Sequence, residues 1–425
     1  MIQKSDMTIL KIAECNAGKD GKVLTVDIAA GKALAIAVAT GRRQILPLGE
    51  AHGRVVCEQV NAASSVPPFD NSAMDGFAVS SQSFRGTGPW QLTITDRIVA
   101  GENPNRDIAP GEAARIMTGA PMPEGTDTVI MQEHCIRQEN SIIVSQKPVC
   151  GRHVRLAGED VAKGNMLLKR GTHLNSAKLA LLAAAGIGRV DVFGKVCVGL
   201  MSTGSELLEP GEQMVPGKIY NSNRYYLLSR LNHPWIEIID YGIVSDDADA
   251  IRKLVRKAAA ECDILISTGG VSVGEEDHML DVLAKENAEL EVLKVAMRPG
   301  KPVTVGKLGK TLYFGLPGNP YAAAVTFEKI AWQAILAAGG SAAKAFEPIH
   351  AISGFDLNRK PGRTEYVPVT WSETDQYGRP IVRRLGRGSS ASLLPLAEAR
   401  GLATLSPDHA AISKGDLLQV ECIEQ

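Results

Sequence analysis

Aromatic residues, net charge and long apolar runs are all scarce in this sequence. Among 425 residues there are 8 Phe, 8 Tyr and 4 Trp, too few rings for a surface that stacks bases. The 46 Lys and Arg are offset by 47 Asp and Glu, leaving a net charge of −1. A nucleic-acid partner is therefore not expected, because such domains carry clustered basic excess. The longest apolar stretches, Ala33–Thr40 and Leu179–Ile187, fall well short of the roughly 20 residues that span a bilayer. Lys11 and Glu14 interrupt the N-terminal segment, so it does not read as a signal peptide. The seven cysteines (Cys15, Cys57, Cys135, Cys150, Cys197, Cys262 and Cys422) are odd in number and form no C-x-x-C pair. That pattern excludes a zinc knuckle and a disulfide framework, and fits a reduced, cytoplasmic chain without a membrane partner. His134, His153, His173 and His233 show no i, i+4 pairing, so a histidine metal site is not expected. Neither G-x-x-x-x-G-K-[ST] nor G-x-G-x-x-G nor G-x-S-x-G occurs, which removes the P-loop, the dinucleotide fingerprint and the hydrolase elbow.

What is present is ordinary globular material, 44% hydrophobic and 22% charged, with 42 glycines. The length suggests two to four domains at about 100–200 residues each. A helical pattern covers Thr25–Ala39. From Ser64 the chain turns to short alternating runs between Gly and Pro, at Trp90–Val99, Glu112–Met117, Thr126–Glu133 and Ser141–Gln146, which predict a small β domain. Ser176–Ala185 reads as a helix capped by Asn175 or Ser176. From Lys195 to Gln333 strands and helices alternate, as in a mostly parallel sheet covered on both faces. In that block a helical pattern is expected after Ser202-Thr203-Gly204, and Ser245 or Asp246 is placed to cap a helix over Asp247–Ala260. Residues 347–424 return to short strands, suggesting a terminal β-barrel.

In such a sheet, ligands sit beyond the carboxyl ends of the strands. Three glycine loops occupy those positions: Ser202–Glu206, Ser267–Gly274 and Gly315–Pro320. Their backbone N–H groups suit a phosphate. Carboxylates stand nearby at Glu206, Asp246, Asp247, Glu275, Glu276 and Asp277; for a phosphate site they suggest Mg2+, which takes one or two carboxylates plus substrate oxygens. Lys294, Arg298 and Lys301 place positive charge around a Pro-Gly turn, suited to an oxyanion. In the β domain, Pro67–Ala78 runs through small and apolar residues to a single carboxylate, Asp75.

Seven motifs in this order, SAMDGFA (Ser72–Ala78), RIMTGAP (Arg115–Pro121), GED (Gly158–Asp160), STGSEL (Ser202–Leu207), STGGVSVGEED (Ser267–Asp277), RPGKP (Arg298–Pro302) and GLPGNP (Gly315–Pro320), resemble the MoeA family. These are the molybdopterin molybdenumtransferases of molybdenum-cofactor synthesis, of which the gephyrin E domain is a further example. The resemblance covers about residues 22–425. It implies a multi-domain α/β fold: an αβα sandwich of molybdopterin-binding type, small β-rich domains and a C-terminal β-barrel. The domains it implies are residues 22–60 with 158–192 as a discontinuous elongated linker, 61–157, 193–342 and 343–425. It also implies Mg-dependent insertion of molybdate into adenylylated molybdopterin with release of AMP. Catalytic roles fall on Asp75, Thr118, Asp160, Glu206, Lys294, Arg298 and Lys301, and metal ligation on Asp246 and Asp277. Substrate binding falls on Gly269, Gly270, Ser272, Gly274, Pro317, Gly318, Asn319, Pro320 and Ser389. The partners it implies are adenylylated molybdopterin, molybdate and a second copy of the chain, with the cleft shared between subunits. An adenylyltransferase and molybdoenzyme acceptors complete the expected partners.

Three positions depart from the family. Arg298 stands where lysine is usual, Phe77 where tyrosine is usual, and Pro368 where an arginine of the anion site is usual. Among the downstream arginines, Arg379, Arg383, Arg384 and Arg387, the last is expected to supply the missing charge. Two other readings remain open here: a molybdopterin adenylyltransferase, whose single domain carries a similar Gly-Gly loop, and a molybdopterin-binding scaffold without turnover.

Overall fold

The computed structural model describes residues 23–269, 278–342 and 347–423. Gly270, Ser272, Gly274 and Asp277 lie outside the described residues. Near the start, helix α1 (Val26–Ile36) is capped by Thr25, whose Oγ1 accepts the Ile28 N–H at 3.3 Å. Strand Arg43–Pro47 pairs with Arg189–Phe193, and Val60–Asn61 with Met166–Leu168. The segments on either side of the β-rich region thus close one core, with Leu46, Val56, Leu182 and Val192 buried in it. Helix α2 (Ser176–Ala184) takes its cap from Asn175, which accepts the Lys178 N–H at 3.0 Å.

Between those segments lies a six-stranded sheet in which Gly76–Val79, one strand in from the edge, is flanked by Glu112–Ile116 and Thr128–Met131. Phe77 is buried there, 1% exposed, and its ring lies under the Arg115 guanidinium at 5.1 Å.

The next unit is a six-stranded sheet built from β1 (Val196–Thr203), β2 (Ile236–Val244), β3 (Ile264–Thr268), β4 (Glu289–Lys294), β5 (Pro302–Leu308) and β6 (Thr311–Leu316), in the order β2-β1-β3-β6-β5-β4. Only β5 runs against its neighbours. Alternation divides the strand residues between two cores. Ile264 and Ile266 face the side covered by α1, α3 (Ser222–Leu231) and the helix from Pro320. Leu265 and Tyr313 face α4 (Ala248–Glu261) and α5 (His278–Lys285). Each fully buried Ile or Leu stabilises by about 1.5–3 kcal/mol, so both faces must be covered.

Two local expectations are corrected. No helix follows Gly204; Leu207–Leu208 and Ile219–Tyr220 form a short parallel pair instead, because Pro210, Gly211, Pro216 and Gly217 break helical continuity. The cap of α4 is Asp247, whose Oδ1 accepts the Ala250 N–H at 2.8 Å, and not Ser245 or Asp246. That leaves Asp246 free of helix-capping duty.

The C-terminal strands β7 (Ile349–Ser353), β8 (Thr364–Thr374), β9 (Pro380–Arg384), β10 (Gly401–Leu405) and β11 (Leu417–Cys422) close into a barrel through the β8–β10 pairing. Val367, Val369, Val382, Ala403 and Val420 fill it. A two-residue strand, Met297–Arg298, pairs with Thr364–Glu365 and ties the sheet domain to the barrel wall.

Candidate active site

The described site residues fall into two clusters. The first is the N-terminal platform. Asp75 sits in the turn before strand Gly76–Val79, and its Oδ1 accepts both the backbone N–H and the hydroxyl of Thr118, each at 2.8 Å. The Thr118 backbone N–H, then its hydroxyl, hold the Asp75 carboxyl below the usual carboxylate range. The Gly119 N–H donates to Ser72 O at 2.8 Å. The third segment joins through Asn71–Ser72, which pairs with Val154–Arg155, and through the Asp160 N–H, which donates to Val66 O at 3.1 Å. SAMDGFA, RIMTGAP and GED therefore share one surface, on which Asp160 is exposed.

The second cluster lies at the carboxyl ends of β1, β3 and β6. Ser202 Oγ and Thr268 Oγ1 are 2.9 Å apart, and the Gly269 N–H donates to Leu316 O at 3.3 Å. Gly269 has φ +82°, and a Cβ there would lie 2.3 Å from Thr203 O; only glycine fits without strain. A Cβ placed on Gly318 would lie 4.0 Å from the Gly269 Cα, and the Gly318 carbonyl accepts the Asn223 side-chain amide at 2.7 Å. Thr203 Oγ1, Asn221 Nδ2 and Asn223 Oδ1 are buried around these loops without hydrogen-bond partners. Orphaned buried polar atoms are rare and mark places where a ligand or water belongs.

Glu206 folds its carboxylate over Gly204, where a Cβ would lie 2.6 Å from it. The Ser205 N–H donates to Asp246 Oδ2 at 2.6 Å, and the Lys218 ammonium donates to Ser205 O. Two expected carboxylates thus meet around one loop. Asp277 lies outside the described residues, and among those described no group of three or more His, Cys, Asp or Glu stands close enough to hold a metal ion. The oxygen-only donor set at Asp246 and Glu206 suits a hard cation that completes its shell from substrate.

Lys294 and Lys301 flank the turn from β4 to β5 and are both exposed, with the Val295 N–H donating to Lys301 O at 2.8 Å. Asn319 ends the third loop and Pro320 opens α6 (Pro320–Thr326). The Tyr321 and Ala322 N–H groups, at the α6 N-terminus, donate to Ser390 O at 2.9 and 3.2 Å, which brings Ser389 beside Pro317–Pro320. Arg298 reaches the barrel, 3.4 Å from Glu365, which also holds Arg359 at 3.2 Å.

Of the arginines on the barrel, Arg379 pairs with Asp375 at 2.7 Å and Arg383 with Glu373. Both are committed to acids of the barrel itself. Arg387 is exposed, and no ion pair is formed by it among the described residues. Arg384, with Arg298 and Pro368, lines a small cavity between the sheet domain and the barrel. Asn223 and Arg384 had no distinguishing signal in the sequence: one is a polar residue in a helix start, the other one arginine among four.

Three family models match the chain in register: the MoeA N-terminal region (domain I and II) over residues 24–186, the "Probable molybdopterin binding domain" over 199–337, and the MoeA C-terminal region (domain IV) over 350–423. A protein named molybdopterin molybdenumtransferase from Nostoc sp. is 37% identical over 380 residues, 88% of this chain and 87% of its own. The chain belongs to the MoeA family. A protein of the same name from Haemophilus influenzae is 34% identical over 94% of this chain and 98% of its own. Among solved structures, the molybdopterin biosynthesis MoeA protein of Pyrococcus horikoshii matches with a TM-score of 0.80 and 28% identity, covering 95% of this chain and 100% of that one. The multi-domain α/β architecture is thus that of a MoeA protein, and no helix of the described residues is long and apolar enough to cross a membrane.

Proposed function

We propose that this chain is the molybdenumtransferase of molybdenum-cofactor synthesis: it takes adenylylated molybdopterin and molybdate, inserts the metal and releases AMP. The observation that carries the reading is the meeting of three strand-end loops at Gly269, with orphaned polar atoms of Thr203, Asn221 and Asn223 around them. That arrangement supplies backbone donors for a phosphorylated pterin. Membership of a family whose relatives carry this name supports the rest.

On this reading, Gly269, Pro317, Gly318, Asn319 and Pro320 with Ser389 hold the pterin and its phosphates, together with Gly270, Ser272 and Gly274. Lys294, Lys301 and Arg298 offset the charge of the phosphates and of molybdate. Asp246 and Asp277 would hold Mg2+, with Glu206 on the same loop that Asp246 holds; when bound, the ion would neutralise the anhydride phosphates and polarise the bond that is cleaved. Asp75, kept ionised by Thr118, and Asp160 present fixed acceptor oxygens to the reacting end.

Among the described residues, no hydrogen bond or ion pair joins Asp75, Thr118 or Asp160 to the sheet loops of the same chain. A homodimer in which the platform of one subunit covers the loops of the other meets that need, and supplies both halves of the cleft twice. The setting is the cytoplasm, where the thiols stay reduced and the acceptor enzymes and the adenylyltransferase are met.

The test is to mix purified protein with adenylylated molybdopterin, Mg2+ and molybdate and to follow AMP. Release that requires molybdate is expected. Adenylylation of molybdopterin from ATP would replace this reading with the adenylyltransferase, and tight binding without release would replace it with the scaffold.

A further inference from the structure

The cavity between the sheet domain and the barrel is lined by Arg298, Glu365, Pro368, Arg384 and Gly388. Two guanidinium groups converge in it. A Cβ placed on Gly388 would lie 3.1 Å from Arg384 Nη2 and 3.8 Å from Arg298 Nη2, so both terminal nitrogens approach one point. Gly388 itself has φ +83° and leaves that point open.

Arg298 has a partial counter-charge in Glu365, but that carboxylate also serves Arg359. Arg384 pairs with no acid among the described residues, and its Nε is buried without a hydrogen-bond partner. Arg379, just before β9, and Arg383, next to Arg384 in β9, are both neutralised. Arg298, Arg359 and Arg384 against Glu365 leave two positive charges in excess. Arg298 is half exposed, whereas the Arg384 Nε is buried with its hydrogen bond unmade, a cost that a bound anion would offset. Two terminal guanidinium nitrogens near one open point suit a compact tetrahedral oxyanion.

The position of Arg384 in the barrel explains how it comes to stand there. Pro368 offers neither charge nor N–H; its carbonyl accepts the Leu385 N–H at 2.9 Å, and the next residue, Val369, is the register partner of Arg384. The cation that the family resemblance places at position 368 of β8 is thus supplied here from the adjacent strand β9. We propose that Arg384, rather than Arg387, joins Arg298 to bind the oxyanion substrate in this cavity. The identity of that anion as molybdate rests on the reading above.

Molybdate binding to the full-length protein, measured by equilibrium dialysis beside molybdate-dependent AMP release, tests this. Arg384→Ala is expected to weaken binding about tenfold or more, the loss of a charge-assisted fork. Arg384→Lys should recover part of the loss, and Pro368→Arg added to Arg384→Ala should restore most of it, which a fold defect would not allow. Arg383→Ala, whose partner is Glu373, should bind as the wild type does. Wild-type binding by Arg384→Ala, with the loss on Arg387→Ala instead, overturns the assignment and leaves the transferase reading standing. Binding that depends on Arg384 while AMP release ignores molybdate upholds the anion site and overturns the transferase reading.

Discussion

Asp75 and Arg384 carry opposite charges in two regions of the molecule, and they are held in opposite ways. The platform carboxylate is bonded within its own domain: Thr118 donates twice to one oxygen, so the charge stays fixed whether or not substrate is present. The barrel guanidinium forms no ion pair among the described residues and keeps a buried Nε unpaired. A group whose bonds are already made is set in place before substrate arrives. One whose bonds are unmade is waiting for a ligand, and its cost is recovered only on binding. On the proposed function, the two regions divide the work between preset geometry and charge capture.

The sharpest way to break this division is at the proposed metal pair. Asp277→Ala, which removes one of the two ligands proposed for Mg2+, is expected to lower AMP release by about a hundredfold or more with melting temperature unchanged; full activity would show that the carboxylate holds no metal. A smaller effect is expected at Thr118. Thr118→Val removes one of the two donors to Asp75, so the carboxyl should titrate closer to the usual range, and turnover should fall about tenfold. Because the folded-state value is depressed, the stability that Asp75 contributes is present above the unfolded value and lost as pH falls through the folded one. The variant should therefore lose less on acidification, as a carboxylate-resolved NMR titration and acid unfolding would show. An unmoved Asp75 titration would contradict the preset geometry. The smallest effect falls on the loops: Gly269→Ala forces a Cβ against Thr203 O at positive φ, and should cost about 1–3 kcal/mol in thermal unfolding while weakening pterin binding. Unchanged melting would mean that the loop relaxes freely.

Much of this arrangement was legible in the residues. Alternating strand and helix patterns in Lys195–Gln333 indicated a sheet covered on both faces, and Ile264, Leu265 and Ile266 do divide between the two cores. The glycine loops are expected beyond strand ends, and the described ones at Gly204, Gly269 and Pro317–Pro320 do follow β1, β3 and β6. Other features were not legible. Asp246 and Asp247 are equally good caps by type, and only the chain's path gives the role to Asp247. The expected helix after Gly204 fails because four breakers outweigh a short apolar pattern. The arginine facing the cavity could not be read from the sequence, because which of the four meets Arg298 depends on how β8 and β9 pair and where the barrel meets the sheet domain, and no local pattern encodes either. Charges neutralised within the barrel, Arg379 and Arg383, look identical in sequence to the one left open.

On the proposed function, the platform and the loops of one chain do not form a site together, and a second subunit completes it. Subunit mixing tests this most directly. Asp75→Ala and Lys301→Ala proteins, each inactive alone, are unfolded and refolded together, and molybdate-dependent AMP release is measured. Random exchange makes half of the dimers mixed, each with one intact cleft, so recovery to about a quarter of the wild-type rate is expected. No recovery, with mixed dimers shown to form, would contradict the account and place both halves of the site in a single chain.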